Sequence, residues 1–202
     1  MSTLEAMSVG LGLKPALLVI DATRGFTDPA SPLGCDGSAA LARIALLLDA
    51  FRVRGLPVFF TSNAYANPCE AAVFRQKLPV LNQLVVGGTW AEIDPRVQPL
   101  PHEPVLRKTV PSAFFDSPLR TWLSAAHVDG TVLCGFSTSG CVRASAVDAL
   151  QCDLRVTVAA DACGDRDLAA HDYNLRDLGL KTGDVRSSAH ILELLSLPLA
   201  PI

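Results

Sequence analysis

The sequence predicts an α/β fold: a three-layer, doubly wound sheet of about six mostly parallel strands, with helices on both faces. Three observations lead to this prediction. Short apolar runs have the length of buried strands, segments of helical length alternate with them, and turn residues separate the two. Strands that read as continuous apolar runs belong to parallel sheets that are covered on both sides. Right-handed crossovers then place helices on each face.

The first half of the chain supplies two strands, one long helix and a segment rich in turn residues. The strands are predicted at residues 16–20 and 57–61, and the helix between them runs from Ser38 to about Arg54. Its start is marked by a good N-cap followed by apolar residues at helical spacing. Residues 62–104 are rich in Pro and Gly. Because long loops are usually functional, we expect this irregular segment to form a pocket wall.

The second half continues the alternation. Its predicted elements are a strand at residues 105–108, a helix from Ser117 to about residue 126, a strand at 131–136, a helix at 141–150, a strand at 154–159, and helices at 168–178 and 187–195. The pair Ser117-Pro118 is a helix-start signal, because Ser caps the helix and Pro suits its first position. No repeat or change in composition marks a second domain. We therefore predict one domain over residues 1–202, with an N-terminal extension at residues 1–13.

The composition excludes several classes of protein. Half of the 202 residues are hydrophobic and 18% are charged, as expected of a compact globular protein. The net charge of -3 argues against a nucleic-acid-binding protein, which would carry a basic patch. No apolar run reaches the roughly 18 residues that span a membrane, and no secretory signal is visible. The six cysteines show no metal-binding spacing, so we expect reduced thiols and a cytoplasmic location.

Three reactive side chains lie at the ends of predicted strands. Asp21 follows the first strand, Lys108 ends the third, and Cys141 follows the fourth. In such a sheet the carboxyl ends of the strands line the crevice where ligands bind. Each residue alone has an ordinary alternative: an Asp that caps a loop, a solvated Lys, a small Cys packed in a turn. Together they supply a proton acceptor, a cation and a nucleophile, which acyl transfer requires.

The position of Cys141 suggests how it is activated. The polar turn at residues 137–140 separates the fourth strand from the next helix, so the thiol is expected at a helix N-terminus. Free backbone N–H groups and the positive end of the helix dipole favour a thiolate there. The same N–H groups can stabilise an oxyanion. We therefore predict that Cys141 is a nucleophile in surroundings that favour its thiolate.

Longer motifs run in register with these three residues. They are Leu18–Asp21 with Gly25–Gly34, Lys108 with Ser112–Phe115, Gly135–Ala144, and Gly164–Arg166. Together these motifs resemble those of the isochorismatase-like cysteine hydrolases, and most closely the group that contains the N-carbamoylsarcosine and maleamate amidohydrolases. The resemblance extends from about Lys14 to Ile191, which is nearly the whole chain. It implies a catalytic triad of Asp21, Lys108 and Cys141.

The resemblance also implies how the reacting carbonyl is bound. It places an oxyanion hole at the N–H groups of Ser137 and Cys141, and a cis peptide bond between Phe136 and Ser137. Arg166 matches a position that binds a substrate carboxylate, a task that suits the two-pronged guanidinium. The alternative for Arg166 is a structural ion pair with Asp165 or Asp161.

Other features bear on the pocket and on cofactors. Phe26, Trp90 and Phe115 are candidates for the pocket wall, with core packing as the alternative for each. Metal-dependent members of the family carry one Asp and two His after the second strand. Residues 62–67 contain neither type, so the resemblance implies no catalytic metal. No dinucleotide-binding or P-loop motif is present, and no cofactor is predicted.

The resemblance implies a metal-independent cysteine amidohydrolase. Its substrate would be a small amide or N-carbamoyl compound with a carboxylate, and ammonia would be released through a covalent intermediate on Cys141. Two alternatives remain open: a hydrolase of a larger amide or lactam, and a noncatalytic binding or redox-sensing protein with an exposed thiol. The family commonly forms dimers or tetramers, which implies a homo-oligomer. Residues 176–183 depart from the family pattern and put the exact substrate in question.

Overall fold

The computed structural model describes residues 5–197, and six strands of this part form one sheet. The strands are β1 (Pro15–Ile20), β2 (Val58–Asn63), β3 (Val105–Lys108), β4 (Gly130–Phe136), β5 (Arg155–Gly164) and β6 (Asp184–Arg186). Their order is β3-β2-β1-β4-β5-β6, and every neighbouring pair is parallel. The chain therefore winds outward in one direction from β1 and in the other from β4, which confirms the doubly wound fold.

Helices cover both faces of this sheet. In chain order they are α1 (Arg24–Thr27), α2 (Ser38–Val53), α3 (Ala72–Lys77), α4 (Leu119–Ala125), α5 (Arg143–Gln151), α6 (Leu168–Lys181) and α7 (Ser188–Ser196). A π-helical turn, Thr138–Val142, leads directly into α5. No helix within residues 5–197 is long and apolar enough to cross a membrane.

Two hydrophobic clusters lie on opposite sides of the sheet. Because side chains alternate along a strand, Leu17 and Val19 of β1 join one cluster, while Leu18 and Ile20 join the other. The first cluster is completed by α2 and α7, and the second by α4, α5 and α6. The predicted apolar face of α2 is buried as expected, with Phe51 inaccessible to solvent. The core thus fixes β1 and β4, whose carboxyl ends meet at the centre of the sheet.

Two predicted segments differ from the structure, and one strand is absent from the prediction. Residues 62–104, expected to be irregular, contain α3 and the 3₁₀ helices Pro79–Gln83, Thr89–Ala91 and Pro95–Val97. Strand β5 extends to Gly164, beyond the predicted end at residue 159. The predicted strand stops early because a bulge opposite Leu133–Gly135 interrupts the apolar pattern of the strand. Strand β6 was not predicted, since three residues with two charged side chains give no strand signal.

The described part of the N-terminal extension is held by hydrogen bonds to the rest of the chain. The first four residues of that predicted extension lie outside the described part. The Ser8 hydroxyl donates to Asp184 Oδ2 over 2.6 Å, and the N–H groups of Leu13 and Lys14 donate to the Asp129 carboxylate. The extension therefore packs beside the edge strand β6 before it enters β1.

Candidate active site

The reactive side chains meet at the carboxyl edge of the sheet. Asp21 directly follows β1, Lys108 is the last residue of β3, and Cys141 lies in the turn after β4. The strand order changes direction between β1 and β4, which is where ligands bind in doubly wound sheets. The structure therefore brings together all three residues of the predicted triad.

The Lys108 ammonium joins the other two side chains. Its Nζ lies 2.6 Å from Asp21 Oδ2 and 3.3 Å from Cys141 Sγ. The third hydrogen-bond acceptor is the carbonyl of Val110, at 3.1 Å. Asp21 is fully buried, while Lys108 and Cys141 are 4% and 7% exposed. An ammonium with three acceptors has all its hydrogens engaged, so its position is fixed.

Asp21 is held by its backbone and by Thr61 of the neighbouring strand. Its φ of 45° is unusual for a residue other than glycine and turns the chain sharply at the end of β1. The Asp21 N–H donates to Thr61 Oγ1 over 3.0 Å, and the Thr61 hydroxyl donates to Asp21 Oδ1 over 2.7 Å. One carboxylate oxygen is thus held by Thr61, and the other faces Lys108.

Burial decides the protonation of the cysteine. It raises the pKa of Cys141 to about 12, with the Lys108 charge acting to lower this pKa and the Asp21 charge acting to raise it. Burial lowers the pKa of Lys108, but the charges of Asp21 and Cys141 outweigh it and raise that pKa overall. The resting site therefore holds a neutral thiol and an ammonium. The prediction that the surroundings of Cys141 favour a thiolate is wrong for this state, because the thiol is desolvated.

The local helix geometry around Cys141 also differs from the prediction. The residue lies in the π-helical turn rather than at the first turn of a regular α-helix. The Ser137 carbonyl accepts hydrogen bonds from the N–H groups of Gly140 and Val142, each at 3.1 Å. Asp165 accepts two more, from the N–H and the hydroxyl of Ser139, at 2.8 and 2.7 Å. The turn is therefore held from both of its sides.

The residues before the turn require close backbone approach. The peptide bond between Phe136 and Ser137 is cis, as expected from the resemblance. At Gly135, φ is 117°, and a Cβ would lie 1.9 Å from the carbonyl oxygen of Ile20. A Cβ on Gly164 would lie 2.3 Å from the ring of Phe136. Only glycine fits at these two positions, and together they allow the Cys141 turn to pack against β1 and β5.

The predicted substrate-binding residues occupy different environments. Arg166 is exposed, and within the described chain it forms no ion pair: Asp165 binds Ser139, while Asp161 binds Ser188 and lies 3.6 Å from Arg43. The alternative of a structural ion pair for Arg166 is therefore wrong.

The three aromatic candidates differ in burial. Phe26 is buried in the core, and Trp90 packs at the margin of the same cluster. Phe115 is 64% exposed. It lines a cavity of about 290 Å³ that also contacts Lys108, Glu70 and Arg107. The lining of this cavity includes neither Asp21 nor Cys141.

Two polar residues at this edge were not singled out from the sequence. Asn63 ends β2, between the strands that carry Asp21 and Lys108, and Tyr65 follows two residues later. Both are buried, and neither Asn63 Oδ1 nor the Tyr65 hydroxyl has a hydrogen-bond partner within the described residues. Their position directly after the second strand was the available signal, because all strands of this sheet end at the same edge.

Metal ligands are scarce around the site. Across residues 5–197 no group of three or more His, Cys, Asp or Glu side chains is placed to hold a metal ion. The chemistry that the residues themselves can support is covalent catalysis, because a buried ammonium contacts both a thiol and a carboxylate.

Comparison with known proteins identifies the family. The sequence model of the isochorismatase domain matches residues 15–190. Maleamate amidohydrolase of Pseudomonas putida is 43% identical over 88% of this chain and 84% of its own length. N-carbamoylsarcosine amidase of an Arthrobacter species is 30% identical over 93% of this chain and 73% of its own length. The crystal structure of an isochorismatase family protein from Desulfovibrio vulgaris, 28% identical, covers 92% of this chain and is itself fully covered, with a TM-score of 0.84.

These matches agree with the fold and with the enzyme class predicted above. The two curated relatives are enzymes that hydrolyse non-peptide C–N bonds. The family model and the relatives each span most of the chain, so the match is not limited to one motif. The chain therefore belongs to the isochorismatase family, as a hydrolase related to the amidases of that family.

Proposed function

We propose that this protein is a cysteine-dependent amidohydrolase that cleaves a small amide or N-carbamoyl compound bearing a carboxylate, and that it releases ammonia through a covalent intermediate on Cys141. The contact of Lys108 with both Asp21 and Cys141 is the observation that carries this proposal. The relatives are named for maleamate and N-carbamoylsarcosine, which both fit this description. Either compound is therefore a suitable first substrate.

The first half-reaction forms the covalent intermediate. Asp21 takes the proton of the Cys141 thiol as the sulfur attacks the carbonyl carbon, and the carbonyl π electrons move to oxygen. Lys108, at 3.3 Å from the sulfur, stabilises the developing thiolate. The oxyanion is bound by the N–H groups of Ser137 and Cys141. When the tetrahedral intermediate collapses, the C–N bond breaks, and Asp21 gives its proton to the departing nitrogen. Ammonia leaves, and a thioester or thiocarbamate remains on the sulfur.

The second half-reaction regenerates the enzyme. Asp21 removes a proton from a water molecule that attacks the same carbonyl carbon, and the same N–H groups bind the oxyanion again. Collapse breaks the C–S bond, and the sulfur regains the proton from Asp21. The product is a carboxylic acid from an amide, or a carbamate from an N-carbamoyl compound. The neutral thiol of the resting site fits this cycle, because deprotonation then accompanies attack.

Substrate binding is assigned to residues around this centre. Arg166 is proposed to bind the substrate carboxylate, since it is exposed, free of ion pairs within the described chain, and next to Asp165, which contacts the Cys141 turn. Phe115 is proposed to form the pocket wall beside Lys108. Phe26 and Trp90 pack in or against the core cluster, which favours a role in holding the pocket wall from behind rather than direct contact with the substrate.

The test is ammonia release from maleamate and N-carbamoylsarcosine by purified protein. Wild-type protein is expected to turn over at least one of them, and Cys141→Ala and Cys141→Ser are expected to be inactive while showing unchanged circular dichroism. Mass spectrometry of the wild-type protein during turnover is expected to find the acyl or carbamoyl group on Cys141. Turnover by Cys141→Ala at the wild-type rate would show that the nucleophile is wrongly assigned.

A further inference from the structure

Two buried polar groups beside the triad lack partners. Asn63 is 1% exposed and Tyr65 is 3% exposed, yet Asn63 Oδ1 and the Tyr65 hydroxyl form no hydrogen bond within residues 5–197. A buried polar group without a partner destabilises the fold, so native proteins contain few of them. Two such groups at the carboxyl end of β2, on the edge of the sheet that also carries Cys141, indicate that a ligand supplies the missing partner.

Strand geometry places the Asn63 side chain next to the ion pair. Asn63 is the register partner of Lys108 on the neighbouring parallel strand, so the two side chains lie on the same face of the sheet. It is also two residues beyond Thr61, whose hydroxyl binds Asp21 on that face. Because Lys108 on β3 reaches Asp21 next to β1, it crosses over β2. The Asn63 amide therefore lies on the face of the sheet where Lys108 meets the Asp21 carboxylate.

Tyr65 is fixed next to Asn63. Its N–H donates to the Leu84 carbonyl over 2.8 Å, and its carbonyl accepts from the Val86 N–H over 3.1 Å. The Arg75 guanidinium lies 4.7 Å from the ring centre. Burial raises the pKa of Tyr65, and the nearby Asn63 amide and the charge of Lys108 only partly offset this effect. The hydroxyl is therefore neutral at neutral pH and can act as a donor.

We propose that Asn63 Oδ1 accepts a hydrogen bond from the substrate nitrogen that leaves as ammonia, and that the neighbouring Tyr65 hydroxyl orients the Asn63 amide. This inference rests on the proposed function, because it assumes that an amide is cleaved. The leaving nitrogen must lie within reach of Asp21, which protonates it, and Asn63, on the face of the sheet where Lys108 meets Asp21, has an acceptor without a partner among the described residues. An amide or ureido NH₂ group supplies the N–H that Oδ1 lacks, whereas the corresponding ester oxygen does not.

The test compares an amide with its methyl ester on one pair of variants. Asn63→Leu keeps the size of the side chain and removes the acceptor. We expect its kcat/KM for the amide to fall about tenfold to a hundredfold, the range for leaving one buried hydrogen bond unmade, while kcat/KM for the ester changes less than threefold. Tyr65→Phe is expected to shift the amide-to-ester ratio in the same direction by a smaller factor. Thr131→Val, at the opposite end of the sheet, is the control whose ratio stays at the wild-type value.

The outcomes separate this inference from the proposed function. If the wild type hydrolyses neither compound, the proposed function fails first. If the wild type is active and Asn63→Leu lowers amide and ester hydrolysis by the same factor, the acceptor role is wrong and Asn63 binds another part of the substrate. A folded Asn63→Leu variant is expected, because the substitution removes a buried group without a partner. Its thermal midpoint should equal or exceed that of the wild type.

Discussion

Lys108 and Asp21 form an ion pair of 2.6 Å in which both side chains are almost fully inaccessible to solvent. Such pairs contribute little net stability, since desolvation of the two charges offsets their attraction. The pair is therefore better explained by its effect on Cys141, the third residue of the predicted triad. The ammonium that neutralises Asp21 also contacts the Cys141 sulfur, so when a proton passes from the thiol to the carboxylate, the negative charge that moves to the sulfur remains compensated.

Removing only the cation should destabilise the protein. Lys108→Met leaves the Asp21 carboxylate buried and unpaired, and we expect the free energy of unfolding at neutral pH to fall by about 3–5 kcal/mol. Amide hydrolysis should be lost. The double variant Lys108→Met, Asp21→Asn should recover most of the stability but no activity. Urea denaturation measures both effects, and equal stability of the single and double variants would contradict the argument.

Alkylation should reveal the protonated state of Cys141. Because burial raises its pKa to about 12 from 9.0, iodoacetamide should modify Cys141 slowly at pH 7 and faster as the pH rises. Folded protein should also lose stability as the pH rises from about 9 towards 12, since the unfolded thiol ionises first. Exposed Cys69 provides an internal reference on the same chain. Peptide mapping that finds Cys141 modified before Cys69 at pH 7 would show that the resting form is a thiolate.

Asp165 should act on turnover by holding the Cys141 turn. Asp165→Ala removes both hydrogen bonds to Ser139, and we expect kcat to fall about tenfold with KM changed less than twofold, since a displaced oxyanion hole weakens transition-state binding. The matched control is Asp167→Ala, which removes the N-cap of α6. That variant should lose about 1 kcal/mol of stability with kcat unchanged. Equal effects of the two variants on kcat would remove the assigned role of Asp165.

Arg166 should determine the preference for anionic substrates. Arg166→Gln is expected to raise KM for a carboxylate-bearing amide about tenfold or more, the loss expected for one charge-assisted contact. Its kinetics with the neutral methyl ester of the same carboxylate should stay within twofold of the wild type. Steady-state kinetics on the two compounds decide the matter. A similar rise in KM for both would indicate that Arg166 shapes the pocket without recognising charge.

The sequence was sufficient for the elements whose signals are local. Apolar runs in β1 and β4 and the buried face of α2 identified the core elements, and the strand ends located Asp21, Lys108 and Cys141 at one edge. Contact between those three depends on strand order, which local patterns do not encode. The resemblance supplied the triad before the geometry was known.

Features that depend on burial, or on partners distant in the sequence, could not be predicted from local sequence patterns. The protonated state of Cys141 depends on desolvation by side chains far away in the sequence, so helix-end electrostatics alone gave the wrong direction. The π-helical turn is hydrogen-bonded to Asp165, which follows it in the sequence only after α5 and β5. Asn63 and Tyr65 carry no sequence motif, and their missing partners become visible only when the neighbouring strands are in place.

The bulge in β5 separates the proposed substrate-binding residue Arg166 from the three residues of the predicted triad. The additional residues opposite Leu133–Gly135 lengthen β5, so that Asp165 and Arg166 follow it at the carboxyl edge of the sheet. Strand β5 itself contributes none of the triad residues Asp21, Lys108 and Cys141. Selectivity can accordingly be redesigned from Arg166 onward, with Gly164 and Asp165 kept because they hold the backbone around Cys141.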